Sequence, residues 1–142
     1  MSQVRKSVLV PFAAIRMFEL IDRVEDYPRF LPWCGETTIH LRDTDWTIAT
    51  VGIDYLGLKS GFTTENRKQE NLITMELKDG PFRALTGAWR LIPLTEDACK
   101  IEFELDYEFA NRALENLVGP VFGKIAATFV DAFVKEAERR FG

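Results

Sequence analysis

The sequence of 142 residues is poor in the residues that build metal and disulfide sites, with two cysteines (Cys34 and Cys99) and one histidine (His40). Two thiols in a chain of this size do not indicate a disulfide scaffold, so we expect both to stay reduced. A structural zinc site would need both cysteines, His40 and a carboxylate together, and their spacings match no zinc pattern. The sequence therefore predicts no metal site.

Motifs for the common catalytic and nucleotide sites are also missing. There is no GxxxxGK[ST], GxGxxG, GxSxG or HExxH, so no cofactor is predicted. Cys34 and His40 would work as a nucleophile and its base only within hydrogen-bond reach. Six residues along a strand separate them by about 20 Å. We therefore predict no catalytic residue.

Long apolar runs and an excess of positive charge are absent as well. No uninterrupted run approaches the roughly 20 residues that cross a bilayer, and the first residues lack the apolar stretch of a signal peptide. The 18 Lys and Arg against 22 Asp and Glu give a net charge of −4. This balance does not favour broad contact with nucleic acid or anionic lipid, although a local basic patch stays open. We expect a cytoplasmic protein that does not bind DNA.

The residues that are present fit one domain over residues 1–142, since 46% are hydrophobic and 28% charged. Apolar spacing predicts a strand over Gln3–Val10, an amphipathic helix over Pro11–Val24, a further short helix, about six strands, and a long final helix. Gly119-Pro120 predicts a break in that helix, and Gly87 predicts a bulge in its strand.

The segment Cys99–Phe109 gives the clearest strand pattern. Ile101 and its odd-numbered neighbours are apolar, while Glu102 and its even-numbered neighbours are acidic. Such alternation predicts an antiparallel strand with one face in water. Antiparallel strands covered by a terminal helix make an α+β two-layer domain. A twisted sheet of this length curls, so the helix can lie in its concavity and leave an apolar pocket.

Several stretches resemble a known family, the RatA and coenzyme-Q-binding branch of the START-like (Bet v 1-like, polyketide cyclase/dehydrase) superfamily. The most specific is Glu25–Cys34, which reads EDYPRFLPWC. The others are Lys59–Asn66, Asp79–Phe82, Leu85–Trp89, Gly119–Phe122 and Val130–Phe133. One departure is Arg23, where the family pattern has an acidic residue.

The resemblance implies a helix-grip fold, in which a curved antiparallel sheet wraps around a long C-terminal helix and encloses an apolar tunnel. It also implies two different roles. Some members bind a ubiquinone-type isoprenoid quinone and support respiratory electron transport. The RatA branch is described as a toxin that binds the large ribosomal subunit and blocks subunit association.

Candidate ligand contacts follow from the apolar residues. Two prolines, Pro28 and Pro32, could hold Phe30, Leu31 and Trp33 as a lid over the tunnel mouth, or the segment could pack as an ordinary short helix. If sheet and helix face each other, seven residues line the cavity, namely Phe62, Trp89, Phe103, Tyr107, Phe122, Ile125 and Phe129. Tyr107 could then donate a hydrogen bond to a quinone carbonyl. The alternative is that these aromatic residues form an ordinary core.

Clustered cations would serve the ribosomal role. Lys59, Arg67 and Lys68 fall on a predicted hairpin. Together with Arg139-Arg140, Arg5 and Lys6 they could form a basic face for ribosomal RNA or anionic headgroups. The alternative is that these charges are scattered over the surface and solvated. Our leading hypothesis is non-enzymatic binding of ubiquinone or a similar lipophilic ligand, with transient contact at the inner membrane. Ribosome association is the second, and a cyclase or dehydrase, which needs an acid–base group in the pocket, is the third.

Overall fold

The computed structural model describes all residues 1–142. One sheet, three α-helices and a short 3₁₀ turn (Val24–Asp26) make up the chain. The strands are β1 (Ser2–Val10), β2 (Cys34–Arg42), β3 (Trp46–Tyr55), β4 (Leu58–Gln69), β5 (Leu72–Asp79), β6 (Phe82–Thr95) and β7 (Ala98–Phe109). The helices are α1 (Ala14–Asp22), α2 (Tyr27–Phe30) and α3 (Arg112–Phe141).

All seven strands pair antiparallel in the order β1-β7-β6-β5-β4-β3-β2. Tight turns join the consecutive strands β2 through β7. Strand β1 pairs with β7, and Ser2 lies opposite Tyr107. The segment between β1 and β2 therefore carries the chain from one edge of the sheet to the other, and α1 and α2 lie on that path. This is the predicted α+β helix-grip fold, with the curved sheet around α3.

Aromatic contacts show how α3 lies against the sheet. Phe122 of α3 packs against Phe62 of β4, with ring centroids 5.8 Å apart. Further along the helix, Phe129 and Phe133 pack against Trp89 of β6 at 5.7 and 5.3 Å. Burial of these large rings supplies much of the hydrophobic stabilisation that holds helix and sheet together.

The alternation predicted for β7 is confirmed. Its apolar side chains are buried from Cys99 to Tyr107, and the acidic side chains between them are partly exposed. On the outer face Arg5 donates to Asp106 at 2.9 Å and Arg90 to Glu104 at 3.2 Å. The acidic row is therefore a solvated face with cross-strand ion pairs.

The predicted break at Gly119-Pro120 is wrong, because α3 runs unbroken through Pro120. The helix begins at Arg112, directly after its N-cap Asn111, whose side chain accepts a hydrogen bond from the backbone N–H of Leu114 at 2.8 Å. Val118 and Phe122, on either side of Pro120, are buried in the same core. Packing of both halves thus outweighs the missing backbone donor, and the proline ring lies exposed on the outer side.

The bulge predicted at Gly87 is also misplaced. Gly87 lies opposite Leu105 in regular register, and the irregularities of β6 fall between Phe82 and Ala84 and near Pro93. A Cβ at position 87 would lie 2.7 Å from the flexible end of Met75 and 3.0 Å from the backbone oxygen of Glu104. Glycine therefore favours close packing against the neighbouring strand here and does not mark a bend.

By length and composition alone, α3 passes the test for a membrane-spanning helix, with an 18-residue window of mean hydropathy 1.6. The core helix of a folded domain passes the same test, and here Phe122, Ile125 and Phe133 are buried against the sheet. Since 33% of the window is buried, the core accounts for part of the apolar character of α3.

Candidate functional site

A cavity with a free volume of about 70 Å³ lies between the concave face of the sheet and α3. Seventeen residues line it, and fifteen of them are hydrophobic. They are Val24, Tyr27, Trp33, Ala49, Val51, Phe62, Thr64, Asn66, Met75, Leu85, Trp89, Phe103, Leu105, Phe122, Ile125, Ala126 and Phe129. The arrangement offers an apolar space to a lipophilic molecule, in the place that the fold predicts.

The spacing of the chain explains why these residues meet. Phe62 and Thr64 are two apart on β4, and side chains two apart on a strand point to the same face. Ile125 and Phe129 are four apart on α3 and share one side of the helix. Side chains repeat every two residues on a strand and every 3.6 residues on a helix. Both spacings turn the side chains of β4 and α3 named here toward the same interior.

Seven of the ten predicted contact residues line the cavity, namely Trp33, Phe62, Trp89, Phe103, Phe122, Ile125 and Phe129. The structure places Phe30, Leu31 and Tyr107 elsewhere. The Phe30 ring packs on Phe133 at 5.2 Å, and Leu31 is buried in the core. The Tyr107 ring packs on the Phe122 ring, with centroids 4.8 Å apart, and Tyr107 does not line the cavity.

The segment after α1 forms one wall of the cavity through Tyr27 and Trp33. Trp33 contacts Phe129 of α3 at 6.1 Å. The Tyr27 hydroxyl donates a hydrogen bond to the backbone oxygen of Ile21 at 2.5 Å, and burial raises the pKa of this phenol. The segment is therefore packed against α3 as a lid would be in its closed position, and its opening remains a prediction.

The cavity has one polar end, which the sequence analysis missed. The Thr64 hydroxyl donates to Asn66 Oδ1 at 2.8 Å, which leaves the amide N–H groups of Asn66 free to donate. Strand β4 runs through Asn66 and continues to Gln69. The sequence did indicate this position, because Asn66 is two residues from Thr64 and four from Phe62 and therefore shares their inward face of the strand.

The predicted basic face does not form. Lys59 and Arg67 lie eight residues apart on β4, about 26 Å along an extended strand. Lys68 points inward, with 8% of its side chain exposed, and its Nζ is 3.2 Å from Asp22 Oδ2. Arg5 pairs with Asp106 on the outer face of the sheet. Alternation along β4 therefore separates cations that are adjacent in the sequence.

Arginines do gather at another place, around two buried carboxylates. The side chains of Asp26 and Glu136 are only 6% and 4% exposed. Arg23 Nε donates to Asp26 at 3.0 Å, Arg139 binds both oxygens of Glu136 at 2.8 and 2.6 Å, and Arg140 bridges the two acids at 3.4 and 2.5 Å. Hydrogen bonds from Arg139 and Arg140 lower the pKa of Glu136 to about 2. The network ties the segment before α2 to the end of α3.

The two cysteines and the histidine do not form a reactive site. Burial raises the pKa of the Cys34 thiol to about 11 and also raises that of Cys99. His40 is exposed, with Nε2 2.7 Å from Thr50 Oγ1. No three His, Cys, Asp or Glu side chains cluster in a way that could hold a metal ion.

Comparison with known proteins identifies the family of this chain. Residues 10–134 match the family described as "Polyketide cyclase / dehydrase and lipid transport". The chain belongs to this family. The match covers the cavity, α1, α2 and most of α3, and it agrees with the START-like resemblance of the EDYPRFLPWC segment.

Curated relatives carry two kinds of name. The ribosome association toxin RatA of Escherichia coli K12 is 40% identical over 97% of this chain and 88% of its own length. The persistence and stress-resistance toxin PasT of E. coli CFT073 is 41% identical over the same shares. The mitochondrial coenzyme Q-binding protein COQ10 of Drosophila melanogaster is 25% identical over 96% of this chain and 59% of its own.

Solved structures confirm the fold. The Zhui aromatase/cyclase of Streptomyces sp. R1128 superposes with a TM-score of 0.80 at 18% identity, covering 99% of this chain and 96% of that one. A START superfamily protein of Mycobacterium smegmatis gives 0.75 at 21% identity, covering 96% and 97%. At such identities the likeness concerns architecture alone.

Proposed function

We propose that this protein associates with the ribosome, in the manner of a RatA-type toxin that binds the large subunit and hinders subunit association. The observation that carries the proposal is the identity of 40% with RatA of E. coli K12, spread over 97% of the chain. The RatA match spans 88% of that protein's own length, whereas COQ10 is 25% identical and is matched over 59% of its length. A protein with this role works in the cytoplasm.

Sucrose-gradient sedimentation tests the proposal. Purified protein is mixed with E. coli ribosomes at low salt, and the fractions are probed for the protein. Co-migration with large subunits, together with a loss of joined ribosomes as protein is added, is the expected result. Recovery of all the protein at the top of the gradient at low salt would overturn the proposal.

A second function uses the interior and can coexist with the first. The apolar cavity with its polar end supports binding of a lipophilic molecule that carries a hydrogen-bond acceptor, and a ubiquinone-type quinone has both parts. Apolar burial would drive binding, at roughly 0.8 kcal/mol per CH₂. Tyr107 does not line the cavity, so Asn66 takes the place of the predicted donor to a quinone carbonyl.

The size of the cavity sets a condition on this second function. A dry cavity of about 150 Å³ is large enough for benzene, and the free volume here is about 70 Å³. A quinone ring therefore enters only if side chains move. Phe129 and Trp33 contact each other where the segment after α1 meets α3, so their separation would enlarge the cavity.

We propose that the cavity binds a ligand and does not catalyse a reaction. Tyr27 is the one titratable side chain among the lining residues, and its hydroxyl already donates to Ile21. Glu65 faces outward and pairs with Lys78 at 3.0 Å, and Arg83 is exposed beside Glu108. A cyclase or dehydrase would need an acid–base group inside the pocket.

A matched pair of alanines tests ligand binding. Ala126 lines the cavity, while Ala127 is exposed on the same helix. Quinone titration should quench tryptophan fluorescence in the parent protein and in Ala127→Leu, and Ala126→Leu should abolish the quenching by filling the cavity. Mass spectrometry of an organic extract identifies any ligand that co-purifies. Absence of quenching in the parent protein, with an empty extract, would refute this function.

A further inference from the structure

The arginines around Asp26 and Glu136 present unused hydrogen-bond donors to solvent. Arg23, Arg29 and Arg139 are 56%, 76% and 69% exposed, although their carboxylate partners are buried. Arg23 uses only its Nε, and Arg139 uses Nε and Nη2. Arg29 lies 3.7 Å from Asp26 and forms no hydrogen bond. Each guanidinium thus keeps at least one terminal nitrogen free on the outside.

A lysine extends the same surface. Lys135 and Arg139 line one groove between α2 and α3, beside the half-buried Phe30 and the exposed Pro32. Lys135 makes no ion pair. We call Arg23, Arg29, Lys135 and Arg139 together the arginine surface.

The arginine surface is positive although the chain is acidic. With Arg140 it holds five cations, against the acids Asp26 and Glu136, the exposed Asp131 of the groove and the exposed Glu138 next to Arg139. One positive charge therefore remains in a protein whose net charge is −4. The two acids are buried beneath the arginines, so an approaching molecule meets the cationic side first.

We infer that the arginine surface binds the phosphate backbone of RNA, and, resting on the ribosome association proposed above, that this RNA is ribosomal. A guanidinium fork matches the oxygens of a phosphate. The buried carboxylates hold Arg23 and Arg139 in place before contact, so less side-chain freedom is lost on binding than with free arginines.

The surroundings favour RNA over an anionic membrane as the partner. A membrane-docking surface sets large exposed apolar side chains among its cations. The large exposed apolar residues of this chain, such as Leu56 and Leu117, do not line the groove, and Phe30 is packed against Tyr27 and Phe133. The arginine surface therefore offers charge and hydrogen bonds without an inserting side chain.

Two double charge reversals separate this inference from its alternatives. The test variant is Arg29→Glu with Lys135→Glu, chosen because neither residue makes a short ion pair whose loss would unfold the protein. The control is Lys59→Glu with Arg67→Glu on β4, which changes the net charge equally, and neither of these residues forms an ion pair. Circular dichroism confirms that both variants are folded.

The readouts are sedimentation with ribosomes and fluorescence anisotropy with a ribosomal RNA fragment, over roughly 0.05 to 0.2 M salt. The test variant should bind at least about ten-fold more weakly than the parent protein, and the slope of log affinity against log salt should fall by about two. The control should bind as the parent does.

Each other outcome is decisive. If the parent binds ribosomes and both variants bind equally well, the inference fails and the ribosome association stands. If the parent neither sediments with ribosomes nor binds the RNA fragment, both the inference and the ribosome association fail. If the parent binds only the fragment, and the test variant loses that binding, the RNA contact is retained and the ribosomal role is removed. Loss of binding to phosphatidylglycerol vesicles, with RNA binding unchanged, would assign the surface to a membrane.

Discussion

The buried carboxylate of Glu136 should contribute a large, pH-dependent part of the stability. Its pKa is lowered from 4.5 to about 2 by the hydrogen bonds from Arg139 and Arg140. A lowered folded-state pKa means that the stabilisation is present above the unfolded value and is lost as the pH falls through the folded value. For Glu136 the full contribution, on the order of 3 kcal/mol, should be present above about pH 5, and about half should remain at pH 3.

Glu136→Gln keeps the shape of the side chain and removes its charge. Urea unfolding followed by tryptophan fluorescence should show a loss of about 3 kcal/mol at pH 7, which shrinks toward pH 3 as the parent protein loses its own ion pairs. Glu138→Gln is the matched control, because Glu138 lies exposed on the same helix without an ion pair. Equal stability of the two variants at pH 7, or a difference from the parent that does not change with pH, would refute the reasoning.

Three further substitutions or modifications test the fold. Gly87→Ala should lower the free energy of unfolding by about 1 kcal/mol, because its Cβ would lie 3.0 Å from the backbone oxygen of Glu104, while the flexible end of Met75 can move aside; unchanged urea unfolding would contradict this packing. Pro120→Ala should stabilise the protein by about 1–3 kcal/mol by restoring a helix donor, and a lower melting temperature would count against an unbroken α3. Cys34 and Cys99 should resist iodoacetamide in native protein at neutral pH and react after unfolding, and rapid native modification seen by mass spectrometry would show that the thiols are not buried.

The order of the helices and strands, and the family, could be predicted from the sequence by itself. Strict alternation from Cys99 to Phe109 indicated a strand with one wet face, and the EDYPRFLPWC segment carried a resemblance that the family match confirms. Periodicity reports on which side of an element is apolar, and apolar faces are what folding buries. This is why seven of the ten predicted contact residues lie around the cavity.

Tertiary structure alone decided where the charges lie and how much space is left inside. Arg67 and Lys68 are adjacent in the sequence but point to opposite faces of β4, while Arg23 and Arg139 are 116 positions apart and lie over one pair of buried acids. Pro120 stays helical because the core holds both of its neighbours in place. The free volume of about 70 Å³ depends on how rings from five separate elements interlock. Such outcomes arise from contacts between distant segments, and a pattern read along one segment contains no information about them.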